Sequence, residues 1–128
     1  SRGLGDVYKR QGLGFPRTAS EDMFFCDGIF IPISGFKVSG LTAGERYTFT
    51  FYGHINDSGT QTEFHVIGKN DGVSYLVNDY NMNRVAAIKG IEPNDDGTIS
   101  IEMKPGPDNV QWAKFYGVNA MVIMAEGY

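Results

Sequence analysis

The sequence predicts an all-β protein, an antiparallel β-sandwich or barrel of short strands, and three observations predict it. Apolar residues recur with period two rather than 3.6, the signature of a half-buried strand. Clusters of Asn, Asp and Gly separate these runs at short, regular intervals. No segment combines a helical period with helix caps.

The strands are expected at 36–40, 46–54, 62–68, 73–78, 84–91, 98–104 and 113–123. The first follows "IPIS" and ends at "LTAGER", where Gly breaks the run. In "ERYTFTFYGHI", Tyr47, Phe49 and Phe51 share one face, and Thr48, Thr50 and Tyr52 share the other. "NDSGT" ends that strand with residues that tolerate left-handed backbone. "TEFHVIG" sets Phe64 and Val66 against Glu63 and His65, and "KNDG" turns the chain again. "TISIEM" follows the turn "NDDG" and sets Ile99, Ile101 and Met103 against Ser100 and Glu102. "KPGPDN" separates it from the last run. The core is expected to contain Phe49, Phe51, Phe64, Ile99 and Ile101. If 55–61 were a hairpin tip, Phe51 would oppose Val66 and Gly53 would oppose Phe64. The same register would set Tyr52 beside His65 and His54 beside Glu63.

The chain has 128 residues, enough for one domain with a real core. Its opening, "SRGLGDVYKRQ", differs from everything after it. All eleven residues fit an in-frame translation of the end of a transposase-type sequencing adapter. Residues 1–11 are therefore expected to be an artefact of processing and are set aside. The domain is expected at 12–128, truncated at its N-terminus as in a metagenomic fragment. Arg2, Lys9 and Arg10 against Asp6 give the opening a net charge of +2; removing it from the overall −4 leaves −6. An acidic chain without a basic cluster argues against nucleic-acid binding. No apolar run approaches a membrane span, so no membrane insertion is expected.

Catalytic chemistry finds little support in the residue pattern. No serine sits in a nucleophile elbow of the G-x-S-x-G type. The lone Cys26 reads as a small buried hydrophobe, since one cysteine builds neither a disulfide nor a metal site. His54, His65 and Glu63 could supply at most three zinc ligands, and they read more simply as cross-strand polar pairs. Asp95 and Asp96 could pair as in a glycosidase, but "NDDG" reads more simply as a turn. No cofactor is expected, although the oxygen-rich loops "PNDDG" and "INDSG" would suit a structural calcium ion.

Aromatic residues in polar loops are the better clue. Trp112 follows "KPGPDNVQ", Tyr80 lies in "NDYNMNR", and Tyr52 falls on the polar face of its strand. Sugar rings stack their CH faces on such side chains, while neighbouring amides and carboxylates hold hydroxyls. Trp112, Tyr80, Asn81, Asn56 and Asp57 are the candidate ligand contacts. The alternative for Trp112 is that it closes one end of the core.

"GFPRTASEDMFF", "FKVSGLTAGERYTFTFYG", "GIEPNDDGTISIEM" and "FYGVNAMVI" occur here in an order and spacing that resemble one bacterial domain type. It is the galactose-binding-like jelly-roll module attached to SGNH/GDSL esterases, polysaccharide-degrading enzymes and other exported proteins. The resemblance covers most of residues 12–123. It implies a jelly-roll and a non-catalytic, carbohydrate-binding accessory module of a secreted or cell-surface protein. It also implies an additional strand upstream of "FPRTA". The implied partners are a glycan or a neighbouring catalytic domain. The alternatives are a purely structural module that orients its neighbour, and part of an esterase-like hydrolase. Where the type carries Ser-Arg after its long aromatic strand, this chain has His54 and Ile55. Gly117 and Val122 replace its usual Tyr and acidic residue.

Overall fold

The structure is a computed structural model, and it describes residues 24–127. The adapter-like residues 1–11 lie outside the described residues. The described residues form an antiparallel β-sandwich of nine strands. These are β1 (Phe24–Cys26), β2 (Ser34–Val38), β3 (Tyr47–Tyr52), β4 (Thr62–Ile67), β5 (Asp71–Leu76), β6 (Ala86–Ile91), β7 (Ile99–Pro105), β8 (Tyr116–Val118) and β9 (Ala120–Ala125). Among the described residues, no helix is long and apolar enough to cross a membrane.

One layer is a four-stranded sheet in the order β2-β7-β4-β5. The other contains the three-stranded sheet β6-β3-β9 and the pair β1-β8. Only Asn119 separates β8 from β9, and its N–H donates to the Tyr52 carbonyl at 2.7 Å. The second layer therefore reads β1, then β8 running into β9, then β3 and β6.

Alternation builds the core. Burial in β3, β4 and the start of β7 follows period two, so Phe49, Phe51, Phe64, Val66, Ile99, Ile101 and Met103 are buried. The Phe51 and Phe64 rings stack at 4.1 Å between centroids and 8° between planes. β3 and β4 belong to different layers, so this contact crosses the core.

That placement corrects the hairpin expectation. Phe51 pairs with Ala86 and Met121, and Phe64 pairs with Ser74 and Met103. Residues 53–61 arch from one layer to the other. Gly53 still marks a close approach: a Cβ there would lie 2.7 Å from the Gly117 carbonyl oxygen and 2.8 Å from Asn78 Nδ2. The expected last strand divides into β8 and β9, and β1 is an additional strand.

The antiparallel registers send loops 27–33, 53–61, 77–85 and 106–115 to one end of the sandwich. Loops 39–46, 68–70 and 92–98 lie at the other. At that second end Gly97 has φ +78°, and a Cβ on it would meet the Leu41 carbonyl oxygen at 2.5 Å. Only glycine fits there, which is why "NDDG" turns the chain.

Candidate functional site

All five ligand candidates fall at the long-loop end. The arch 53–61 is its centre and is bonded to both neighbouring loops. Ile55 N–H donates to the Asn78 carbonyl at 2.9 Å, and Tyr80 N–H donates to the Ile55 carbonyl at 2.8 Å. Asp79 then receives Gly59 N–H at 2.9 Å, Thr60 N–H at 2.8 Å and the Thr60 hydroxyl at 2.5 Å. Partial burial would raise the Asp79 pKa. The bonds from Thr60 and Gly59, with the nearby Arg84 charge, outweigh it and hold the carboxyl below the ordinary aspartate range.

Asn81 is fully buried. Its Nδ2 donates to the Gly53 carbonyl at 3.0 Å and the Arg84 carbonyl at 2.8 Å. Its Oδ1 accepts from Asn83 N–H at 3.2 Å and Arg84 N–H at 2.7 Å. An asparagine amide has two donors and one acceptor oxygen with two lone pairs, so this one is saturated inside the protein. It builds loop 77–85 and leaves no side-chain atom for a ligand. Its carbonyl also accepts from the Tyr52 hydroxyl at 2.7 Å and His54 Nδ1 at 2.9 Å. The product is an exposed Tyr80 held at φ +44°, an unusual backbone for an aromatic residue that the surrounding bonds over-determine.

Loop 106–115 is built the same way. Asn109 Nδ2 donates to the Gln61 and Phe115 carbonyls, both at 2.9 Å. Gln111 Oε1 accepts from Ala113 N–H at 2.9 Å and Phe115 N–H at 3.0 Å. Gln111 Nε2 donates to Asp57 Oδ2 at 3.1 Å, which ties this loop to the arch. Val110 and Gln111 N–H both donate to the Gly59 carbonyl. The loop is thus fixed on both sides of Trp112, whose side chain stands out into solvent at 80 % exposure. Trp112 does not close the core. Its ring meets Phe115 edge-on at 5.8 Å, and Phe115 meets Phe25 at 4.8 Å.

The structure thus brings Asp57 to the Trp112 loop through Gln111. It places Asn56 exposed on the arch and Tyr80 on the loop next to it. Sequence reasoning missed the builders Asn78, Gln61, Asn109 and Gln111: Asn78 fell at the end of the strand expected at 73–78, which ends at Leu76, and the other three read only as turn or loop residues. It also missed loop 27–33, where Ile29, Phe30, Ile31 and Ile33 are all exposed. The signal was present in "DGIFIPIS": an apolar run without alternation, broken by Gly28 and Pro32. The loop is rooted by a Tyr116 hydroxyl that donates to the Ile31 carbonyl at 2.7 Å. That hydroxyl also lies 3.0 Å from Ser34 Oγ, and Cys26 Sγ lies 3.7 Å from Ser34 Oγ. Burial pushes the Tyr116 phenol up to about 12. Cys26 is the buried small side chain its sequence context predicts.

The residues weighed for catalysis or metals are dispersed. Because β3 and β4 are not neighbours, the expected His54–Glu63 and Tyr52–His65 pairs are not formed. His65 Nε2 instead meets Asp71 Oδ2 at 2.7 Å, and Glu102 lies 4.0 Å from Nδ1. Asp95 pairs with Lys69 at 2.7 Å, and Asp96 accepts from the Thr98 hydroxyl at 2.6 Å. Among the described residues, no group of three or more His, Cys, Asp or Glu side chains could hold a metal ion. Compared with known proteins, the chain matches no family model, no curated sequence and no solved structure.

Proposed function

We propose that this chain is a non-catalytic carbohydrate-binding module of an exported bacterial protein, and that the long-loop end is its contact surface. The observation that carries the reading is Trp112. A large flat apolar ring is presented to solvent from a loop whose backbone is fixed by the buried amides of Asn109 and Gln111. Preorganised, exposed aromatics are what a sugar face needs, because little order is lost on binding. Tyr80 offers a second exposed ring. Asn56 and Asp57 offer hydroxyl partners beside them. The strand order, β2-β7-β4-β5 over β1-β8/β9-β3-β6, supports the jelly-roll reading of the resemblance.

The test is a broad plant- and host-glycan panel probed with the wild-type chain and with Trp112→Ala. Binding by the wild type that falls about thirtyfold in the variant, on the order of 2 kcal/mol, is expected. Absence of binding on the whole panel overturns the reading.

A second reading is favoured by loop 27–33. Phe30 is 83 % exposed, and it stands among exposed Ile29, Ile31 and Ile33 on a loop joined to 113–114 by two bonds from Gly28 N–H. Contiguous exposed apolar surface marks interaction sites. In this reading the end docks a neighbouring domain of the same polypeptide. It predicts that Phe30→Ser weakens that contact and leaves glycan binding intact.

A further inference from the structure

We infer that the glycan taken at the Trp112 loop is uncharged, and that Asp57 and Asp108 are the residues that enforce this. The inference rests on the carbohydrate reading above and narrows it to a substrate class.

Its basis is the distribution of charge over the four loops. Among the described residues they carry Asp27, Asp57, Asp79 and Asp108 against Arg84 and Lys114. Both cations are anchored to main-chain carbonyls of their own loops. Arg84 Nε donates to the Val77 carbonyl at 3.2 Å, and Nη2 donates to the Asp79 carbonyl at 2.7 Å. Lys114 Nζ donates to the Asn109 carbonyl. Uronate and sulfate recognition is built on convergent N–H donors from Arg or Lys, and at this end each of the two cations is anchored by its own loop's main chain, while carboxylates outnumber cations.

The aspartates are placed in the opposite sense. Asp57 Oδ1 accepts Ser58 N–H at 2.8 Å and Oδ2 accepts Gln111 Nε2 at 3.1 Å. These two bonds fix the carboxylate beside the Trp112 loop. Each oxygen keeps a lone pair, so the group can accept two further donors, as a vicinal diol supplies. Asp108 is exposed on the same loop as Trp112. A second carboxylate brought close to either would be repelled, whereas hydroxyls would be held by a charge-assisted bond. Asp57 therefore both selects for hydroxyls and excludes anions.

Affinity electrophoresis in gels containing paired polysaccharides tests this: hydroxyethylcellulose against carboxymethylcellulose, and methyl-esterified against de-esterified galacturonan. Any pair that retards the chain is expected to do so at least tenfold more strongly in its neutral form. Asp108→Asn, which leaves the loop's main-chain bonds in place, should narrow that ratio about threefold to fivefold, and Asp57→Asn should narrow it further. The ratio should also narrow in high salt. An amide in place of the Asp57 carboxylate has one acceptor oxygen instead of two and could keep only one of the two existing bonds. The melting temperature of Asp57→Asn is therefore measured alongside. Equal or stronger retardation by the anionic member overturns the inference and leaves the carbohydrate reading standing. So does a ratio that neither substitution moves. If no member of either pair retards the chain and the glycan panel is silent as well, the carbohydrate reading fails and takes the inference with it; a panel on which only anionic glycans bind overturns the inference alone.

Discussion

The two ends of the sandwich solve the same problem differently. Both must satisfy the main chain where strands stop and loops begin. The short-turn end does so with tight turns and with exposed or half-exposed amides: Asn70 accepts Glu92 N–H and donates to the Gly90 carbonyl, both at 2.8 Å, and Asn94 donates to the Thr98 carbonyl at 3.0 Å. Its surface also carries ion pairs. Lys69 bridges Asp95 at 2.7 Å and Glu92 at 3.9 Å, and Arg46 reaches Glu92 at 3.7 Å. The long-loop end does so from within. The buried polar residues Thr60, Gln61, Thr62, Asn78, Asn81, Asn109, Gln111 and Asn119 all lie there. Among the described residues, no buried side-chain nitrogen or oxygen lacks a partner. Long loops carry more main-chain groups than their own turns can satisfy, and buried amides supply both donors and acceptors. The difference teaches which end can present side chains without building the core from them. An end stiffened from inside can hold Trp112 and Tyr80 outward, Trp112 with only an edge contact to Phe115.

The comparison can be broken or sharpened by substitution. Phe51→Ala, in the core between the two ends, sets the scale at about 3–5 kcal/mol lost in denaturant unfolding. A small loss would mean that the Phe51–Phe64 stack does not join the layers. Asn81→Ala should follow at about 2–4 kcal/mol, because Gly53 and Arg84 main-chain groups lose their partner. A loss below about 1 kcal/mol would mean the internal network does not hold its end.

Trp112→Ala should change stability by less than about 0.5 kcal/mol, since the ring is exposed, while lowering the proposed glycan binding about thirtyfold. Acid titration adds a finer distinction. The Asp79 pKa is lowered in the folded state, so its contribution is present above the ordinary aspartate value and is lost as pH falls through the folded value. Asp79→Asn should therefore flatten the acid limb of the stability profile. A profile parallel to wild type would show that Asp79 is not linked to folding. Smallest of all is Lys69→Ala at the opposite end, where exposed ion pairs contribute little. Its melting temperature should match wild type within error, and a clear fall would erase the contrast between the ends.

Much of the architecture was legible because alternation is local. "YTFTFY", "TEFHVI" and "ISIEM" each name their buried face without reference to any partner, and Phe49, Phe51, Phe64, Ile99 and Ile101 are buried as that alternation requires. The partner was not legible. Phe51 and Phe64 meet whether their strands pair within a sheet or face each other across the core, and period two is the same in both cases. The seven residues of "INDSGTQ" suit either a hairpin tip or part of an arch, and the arch formed.

The candidate site was legible as a set of loops and illegible as a set of roles. Asn56 and Asn81 occur in similar polar, turn-rich contexts, yet one is exposed and the other is saturated with main-chain bonds. Trp112 could have been a core cap or a presented ring, and burial alone distinguishes these. The sequence by itself determined the strands that became β2 to β7, the inward faces of β3, β4 and β7, and the polar loops between them, because propensity and alternation act between near neighbours along the chain. Only the tertiary structure decided which layer each strand joined, which amides turned inward and which aromatics stayed out. Those outcomes depend on main-chain groups far apart in sequence finding partners once the layers have closed.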